Sequence, residues 1–219
     1  NFKKYRKRGT LVLLSFSLPV LGILLLWNHS LTVSTNGEPY SDTLHKGAKI
    51  YLDEGNVEQL DVDKIYPSPL NARNDVPVTY EENCHQQEGK SAVIECHYGE
   101  TENPQYEIAL VGGSHSAHWL PALREFAKEN DIMINNMTKS GCRFYYEDDL
   151  SNSEEDCDQF NQNLIEKLID KRPDLVFLTA DVGQNQAVPE GYINAWDKLN
   201  NNNIQVFAIR DNGRYPEDP

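Results

Sequence analysis

The second half of the sequence predicts a three-layer α/β sandwich around a parallel sheet, and three observations predict it. Short continuous apolar runs stand at Glu107–Gly112 (EIALVG), Asp174–Thr179 (DLVFLT) and Ile204–Ile209 (IQVFAI). Stretches with apolar residues at helical spacing separate them. The two kinds of segment alternate along the chain. A run without polar alternation marks a strand buried on both faces, and strand–helix alternation builds parallel β-α-β units with right-handed crossovers.

Taken in order, Glu107–Gly112 is the first strand. Ser116–Asn130 follows as a helix, with Leu120, Leu123 and Ala127 on one face and Arg124, Glu125, Lys128 and Glu129 elsewhere. Asp131–Asn135 (DIMIN) reads as the second strand, and a loop with Gly141, Cys142 and Cys157 comes next. The helix Gln159–Lys171 turns Leu164, Ile165, Leu168 and Ile169 inward and is stopped by Pro173. Asp174–Thr179 is the third strand, Glu190–Leu199 a third helix and Ile204–Ile209 the fourth strand. The layout is of the flavodoxin-like kind and covers 107–219. Residues 31–106 are polar, broken by Pro39, Pro67, Pro69, Pro77 and Pro104, and read as an extracytoplasmic extension. Ile50–Leu52 and Ala92–Glu95 are its candidate short strands.

With 39% hydrophobic and 25% charged residues in 219, the chain is neither collagen-like nor disordered throughout. A net charge of −14 argues against a nucleic-acid partner. The charge is unevenly placed. Residues 1–8 (NFKKYRKR) hold five of the twenty basic residues and no acidic one, so the remainder carries 15 basic against 34 acidic residues. This basic tag leads into an uncharged stretch. Nineteen helical residues from Gly9 to Trp27 would reach roughly 28 Å, close to a bilayer's hydrocarbon thickness. A transmembrane helix over 9–30 is therefore expected, with residues 1–8 cytoplasmic by the positive-inside rule and the main body outside the cell membrane. Pro19 is tolerated in such a helix. A signal peptide has the same layout, but no A-x-A-like site follows Trp27, and a core helix would show a polar face.

Four cysteines stand in two close pairs, Cys84 with Cys96 and Cys142 with Cys157. Their spacing matches no zinc pattern, and no metal site is expected. Outside the cytoplasm, two local disulfides are the natural reading, although four cysteines allow three pairings.

The first strand runs into Gly112-Gly113-Ser114-His115-Ser116. Sites in open α/β sheets lie at the carboxyl ends of strands. There, a glycine turn before a helix exposes a serine hydroxyl beside unpaired backbone N–H groups. A nucleophile whose tetrahedral intermediate carries an oxyanion needs that setting. A helix-capping serine gives the same local pattern. The second strand leads to Lys139-Ser140-Gly141-Cys142, and the third to Gly183-Gln184-Asn185-Gln186. Gly141 and Asn185 are candidate donors beside Ser114.

In this order Ser114, Gly141 and Asn185 resemble the first three blocks of the SGNH (GDSL-like) hydrolases. More narrowly, GGSHSAHWLPAL at 112–123, TKSGC at 138–142 and IRDN at 209–212 resemble the extracytoplasmic SGNH domain that follows acyltransferase family 3 membrane proteins. The resemblance implies an O-acyltransferase, usually an O-acetyltransferase, of bacterial surface polysaccharide such as peptidoglycan or lipopolysaccharide O-antigen. It implies Ser114 as nucleophile, the N–H groups of Ser114 and Gly141 as an oxyanion hole, and Asn185 as a third donor. It implies no cofactor in this domain, the acyl donor (acetyl-CoA) being used by an acyltransferase membrane domain in the same parent chain. Gly113 stands where most of these enzymes have Asp, and Gln186 where the third block usually ends in Asp.

The family completes its triad with Asp-x-x-His after the strand corresponding to 204–209. The last histidine here is His118, so catalytic Asp and His are not among these residues. The expectation is a domain incomplete at its C-terminal side and inactive as it stands. Asp42–His45 is a D-x-x-H by coincidence, and His115 and His118 read as packing or hydrogen-bonding members of the motif. An SGNH carbohydrate esterase is the alternative enzyme, differing only in its acceptor, water. A non-catalytic carbohydrate-binding module is the reading from another class. Tyr145, Tyr146 and Trp196 read as packing aromatics rather than sugar platforms. The acidic residues Glu147, Asp148, Asp149, Glu154, Glu155 and Asp156 read as a solvated loop, and the sequons at Asn28 and Asn136 carry little weight.

Overall fold

The apolar runs pair as parallel strands in the computed structural model, which describes residues 15–30, 66–68, 71–147, 155–180 and 187–211. The chain divides into two units, Asn1–Asp75 and Val76–Pro219. In the first, residues 15–30 form helix α1, whose apolar side chains, among them Phe16, Leu18, Ile23, Leu26 and Trp27, are exposed. The expected transmembrane helix is not supported. Residues 9–14 lie outside the described residues, and no described helix is long and apolar enough to cross a membrane. Ile50–Leu52 and Asp42–His45 also lie outside the described residues.

The second unit holds a six-stranded sheet. Its strands are β1 (His85–Gln86), β2 (Cys96–Gly99), β3 (Tyr106–Gly112), β4 (Ile132–Lys139), β5 (Leu175–Ala180) and β6 (Gln205–Arg210). The order is β1-β4-β3-β5-β6, with β2 also paired to β4. Pairing is parallel throughout that order, Ile108 facing Ile134 on one side and Leu175 on the other. The helices are α2 (Val78–Glu81), α3 (Ser114–Ala117), α4 (Leu120–Glu129), α5 (Glu155–Lys171) and α6 (Glu190–Asn200).

Each sheet face has its own core. Ile108, Leu110, Ile134 and Phe177 pack with Leu120 and Ala127 of α4 on one face. Ala109, Val111, Val176 and Leu178 pack with Phe160, Leu164 and Leu168 of α5 and Ala195 and Leu199 of α6 on the other. Strand alternation explains the split, since neighbouring residues point to opposite faces. With helices on both faces, every position from Ile108 to Gly112 in β3 and from Leu175 to Leu178 in β5 is apolar, as the sequence pattern required.

Two expectations need correcting. The extension expected over 31–106 gives up its last part to the sheet, because β1 and β2 lie end to end along one side of β4. β1 is parallel to it (His85 opposite Thr138), whereas β2 is antiparallel (Cys96 opposite Asn136). The Cys84–Cys96 disulfide closes the loop between them. Strands of two and four residues carry too few side chains for a legible period. Secondly, the helix expected over Ser116–Asn130 is two helices. Pro121 has no N–H to donate to the Ala117 carbonyl, so α3 ends after one turn and α4 begins at Leu120.

β4 runs on to Lys139, four residues past the expected end, although Asn135, Asn136, Thr138 and Lys139 are all buried. Partners offset the cost of burying them. Asn136 Nδ2 donates to the Cys84 carbonyl at 2.6 Å, and Asn136 Oδ1 accepts from Thr138 Oγ1 at 3.2 Å. Thr138 Oγ1, its one proton used, accepts from His85 Nδ1 at 2.8 Å. His85 therefore carries a proton on Nδ1. Burial lowers its pKa from 6.5 to about 4, helped by the positive charges of His118 and Lys139.

The sign of the pH effect follows. Between pH 6.5 and about 4 the unfolded chain protonates His85 and the folded chain does not. Stability is therefore full above pH 6.5 and falls with acidification, by up to about 3 kcal/mol from this residue. Urea unfolding at pH 7 and pH 4.5 should show the loss, and His85→Gln should shrink it.

Candidate active site

Carboxyl ends of β3, β4, β5 and β6 meet at one edge of the sheet, and the GGSHS turn sits there. Gly112 adopts φ +108°, and a Cβ on it would lie 2.7 Å from Ser116 Oγ. That hydroxyl, buried, accepts the Thr179 N–H at 2.9 Å and ties α3 to β5. The second glycine serves a different contact. A Cβ at Gly113 would stand 3.2 Å from the Cys142 carbonyl oxygen, so the loop carrying Gly141 rests directly on the turn carrying Ser114. Glycine at 113 thus lets the two loops approach this closely.

Ser114, Gly141, His115, Arg143 and Tyr145 line one cleft of about 420 Å³. Ser114 is half-buried at the start of α3, and Gly141 takes the left-handed φ of +64°. Neither the Ser114 N–H nor the Gly141 N–H donates to another protein group among the described residues. The helix dipole contributes little here, since α3 is a single turn. What remains is a hydroxyl with two unengaged donors on the wall of the same cleft.

The Gly141 loop is held from several sides. The Cys142–Cys157 disulfide fastens it to α5, and both expected disulfides are present. Ser140 N–H donates to the Gln86 carbonyl at 2.7 Å, and Asn161 Nδ2 to the Arg143 carbonyl at 2.8 Å. Lys139, its side chain 1% exposed, donates to the Gln87 carbonyl and to Asp156 Oδ2 at 2.8 Å. Those bonds, the Lys139 ammonium first and the Gly89 N–H second, hold the Asp156 carboxyl below its usual range. Asp156 is thus a structural counter-ion rather than part of a solvated acidic loop.

Asn185 lies outside the described residues, as do Asp148, Asp149 and Glu154. Among the described residues no group of His, Cys, Asp or Glu is placed to hold a metal ion. Tyr145 and Trp196 pack against the core, Lys198 Nζ lies 3.8 Å over the Tyr146 ring, and Asn136 is buried in β4.

His115 has a partner that sequence reasoning missed. Its Nδ1 stands 2.6 Å from Oδ2 of Asp211, the residue just past β6. The Asp211 side chain is 9% exposed and that of His115 50%. The signal was present, since IRDN ends a strand at the carboxyl edge, but a separation of 96 positions concealed the pair.

The sequence model of the family described as "SGNH domain (fused to AT3 domains)" matches residues 83–217. No curated protein matches the chain. Among solved structures, the periplasmic domain of a Salmonella ser. Paratyphi A lipopolysaccharide acetyltransferase is similar at 22% identity and a TM-score of 0.40. That likeness covers 51% of this chain and 47% of the solved one, so this chain spans about half of that structure's length.

Proposed function

The chain belongs to the family of SGNH domains fused to AT3 domains, and on that premise we propose that it is the extracytoplasmic part of a membrane-bound O-acyltransferase with Ser114 as nucleophile. The observation that carries the proposal is the pair of unengaged N–H groups, Ser114 and Gly141, on the cleft wall that holds the Ser114 hydroxyl. Ser114 Oγ attacks the acyl carbonyl, its proton passing to the departing group, and the oxyanion that forms takes both N–H groups. The donor's leaving group departs, and an acceptor hydroxyl then displaces Ser114 from the acyl carbon. Fixed donors of this kind act without reorganisation, which is why each is worth about 10²–10³ in rate.

Asn185 is proposed as a third donor, from the resemblance. The acceptor proposed is a bacterial surface polysaccharide, peptidoglycan or lipopolysaccharide O-antigen, and the group transferred is acetyl. The acyl donor, acetyl-CoA, is used by a membrane acyltransferase domain in the parent chain, and this domain needs no cofactor of its own. Residues 9–30 are proposed as a single span with residues 1–8 cytoplasmic, supported by the basic tag and the uncharged stretch behind it. Turnover by these 219 residues is expected to be slow, because the Asp-x-x-His of the resemblance is not among them.

A fluorophosphonate, which phosphonylates activated serines, tests the site. The adduct is expected on the peptide containing Ser114 and to be lost on prior unfolding. Labelling spread over other serines, or none at Ser114, would refute the nucleophile.

A further inference from the structure

This inference rests on the polysaccharide acceptor proposed above and concerns how such a polymer is held beyond the cleft. α5 begins beside the cleft, which its Cys157 lines, and runs away from it. Asp158, Asn161 and Gln162 come next along the helix and border a small recess together with Tyr145, a residue the recess shares with the cleft. Gln162, Ile165, Glu166 and Ile169, spaced as one helical stripe, then form one wall of a groove of about 490 Å³. Lys198, at the end of α6, and Asn201 and Asn202 just past it form the other wall. Cleft, recess and groove thus follow one another along α5, which rises about 18 Å between Cys157 and Ile169. A track of that length suits an extended ligand.

The near end of the groove is held in place. Tyr146 N–H donates to the Gly191 carbonyl at 2.9 Å, and Lys198 Nζ lies 3.8 Å over the Tyr146 ring, so the ring borders the groove with one face already covered. Among the described residues the lining holds one carboxylate, Glu166, and one ammonium, Lys198, although the chain carries a net charge of −14. That local balance favours an uncharged ligand. The side chains of Gln162, Glu166 and Asn201 engage no protein group among the described residues. Carboxamides donate and accept at once, as sugar hydroxyls do, and Ile165 and Ile169 offer an apolar floor to the C–H face of a sugar ring. We propose that the groove between α5 and α6 is a distal subsite, which holds uncharged sugar residues of the acceptor polymer while another of its residues occupies the cleft.

The test compares N-acetylglucosamine with its tetramer, chitotetraose, as ligands of the full chain by isothermal titration calorimetry. The tetramer reaches from the cleft into the groove and should bind about tenfold or more tightly than the monomer. Gln162→Ala with Asn201→Ala removes two hydrogen-bonding side chains and should bring the tetramer down to the monomer's affinity. Glu166→Ala, on an exposed turn of α5, should weaken the tetramer alone by about fivefold. A thermal melt of each variant should be unmoved, since alanine suits a helix surface and none of the three side chains holds another element. Absence of tetramer binding, equal affinity for monomer and tetramer, or a gain with length that survives all three substitutions would overturn the subsite. The nucleophile reading fails separately: a chain that binds the tetramer through these residues but takes no fluorophosphonate on Ser114 keeps the groove and loses the serine.

Discussion

Ser114→Ala is expected to remove the acetylation of the chain by 4-nitrophenyl acetate, slow as that is without the Asp-x-x-His pair, and to leave only uncatalysed ester cleavage. The hydroxyl is the atom that forms the covalent bond, so no neighbouring group can replace it. Stability should hardly move, because the Ser114 side chain is half-buried and engages no protein group among the described residues. Stopped-flow release of 4-nitrophenolate, with a thermal melt alongside, separates the two effects. A variant that kept its burst would place the nucleophile elsewhere on the cleft.

The second large effect is expected from Cys142→Ala with Cys157→Ala. Loss of the bridge, whose cysteines are 15 residues apart, should cost about 3 kcal/mol of stability by loop-closure entropy. It should also cost activity, because Cys142 directly follows the proposed oxyanion donor Gly141 and its carbonyl rests against Gly113. One oxyanion donor is worth about 10²–10³ in rate. The Lys139–Asp156, Ser140–Gln86 and Asn161–Arg143 bonds still hold the loop, so only part of that should be lost. Removing the other bridge, as Cys84→Ala with Cys96→Ala, is the comparison. It should lower stability similarly while leaving ester cleavage unchanged, since it joins β1 to β2 away from the cleft. Urea unfolding and burst amplitude on both pairs distinguish a loop-positioning bridge from a merely stabilising one.

Much of this domain was legible in local sequence. Strands buried on both faces declare themselves as apolar runs, so β3, β5 and β6 were placed to within a residue or two. Amphipathic spacing did the same for α6 and for the end of α5, which starts four residues earlier than expected, and glycines before a serine at a strand's end pointed to the cleft that Ser114 and Gly141 share. Close cysteine spacing indicated both bridges. Each of these signals is local because its physical cause is local: periodicity, turn conformation or short loop closure.

Folding had to supply what depends on distant residues. β1 and β2 are too short to show a period and exist because β4 offers them hydrogen bonds. The polar end of β4 is a strand only because Cys84, Gln87 and Asp156 arrive to satisfy Asn136 and Lys139. His85 carries no signal in the sequence and is buried, its pKa lowered to about 4, once Thr138 and Lys139 stand beside it. Asp211 meets His115 only when β6 joins β5 in register, carrying a carboxylate 96 residues away to the turn that bears Ser114. Burial and long-range register are properties of the assembled sheet, and no window of sequence contains them.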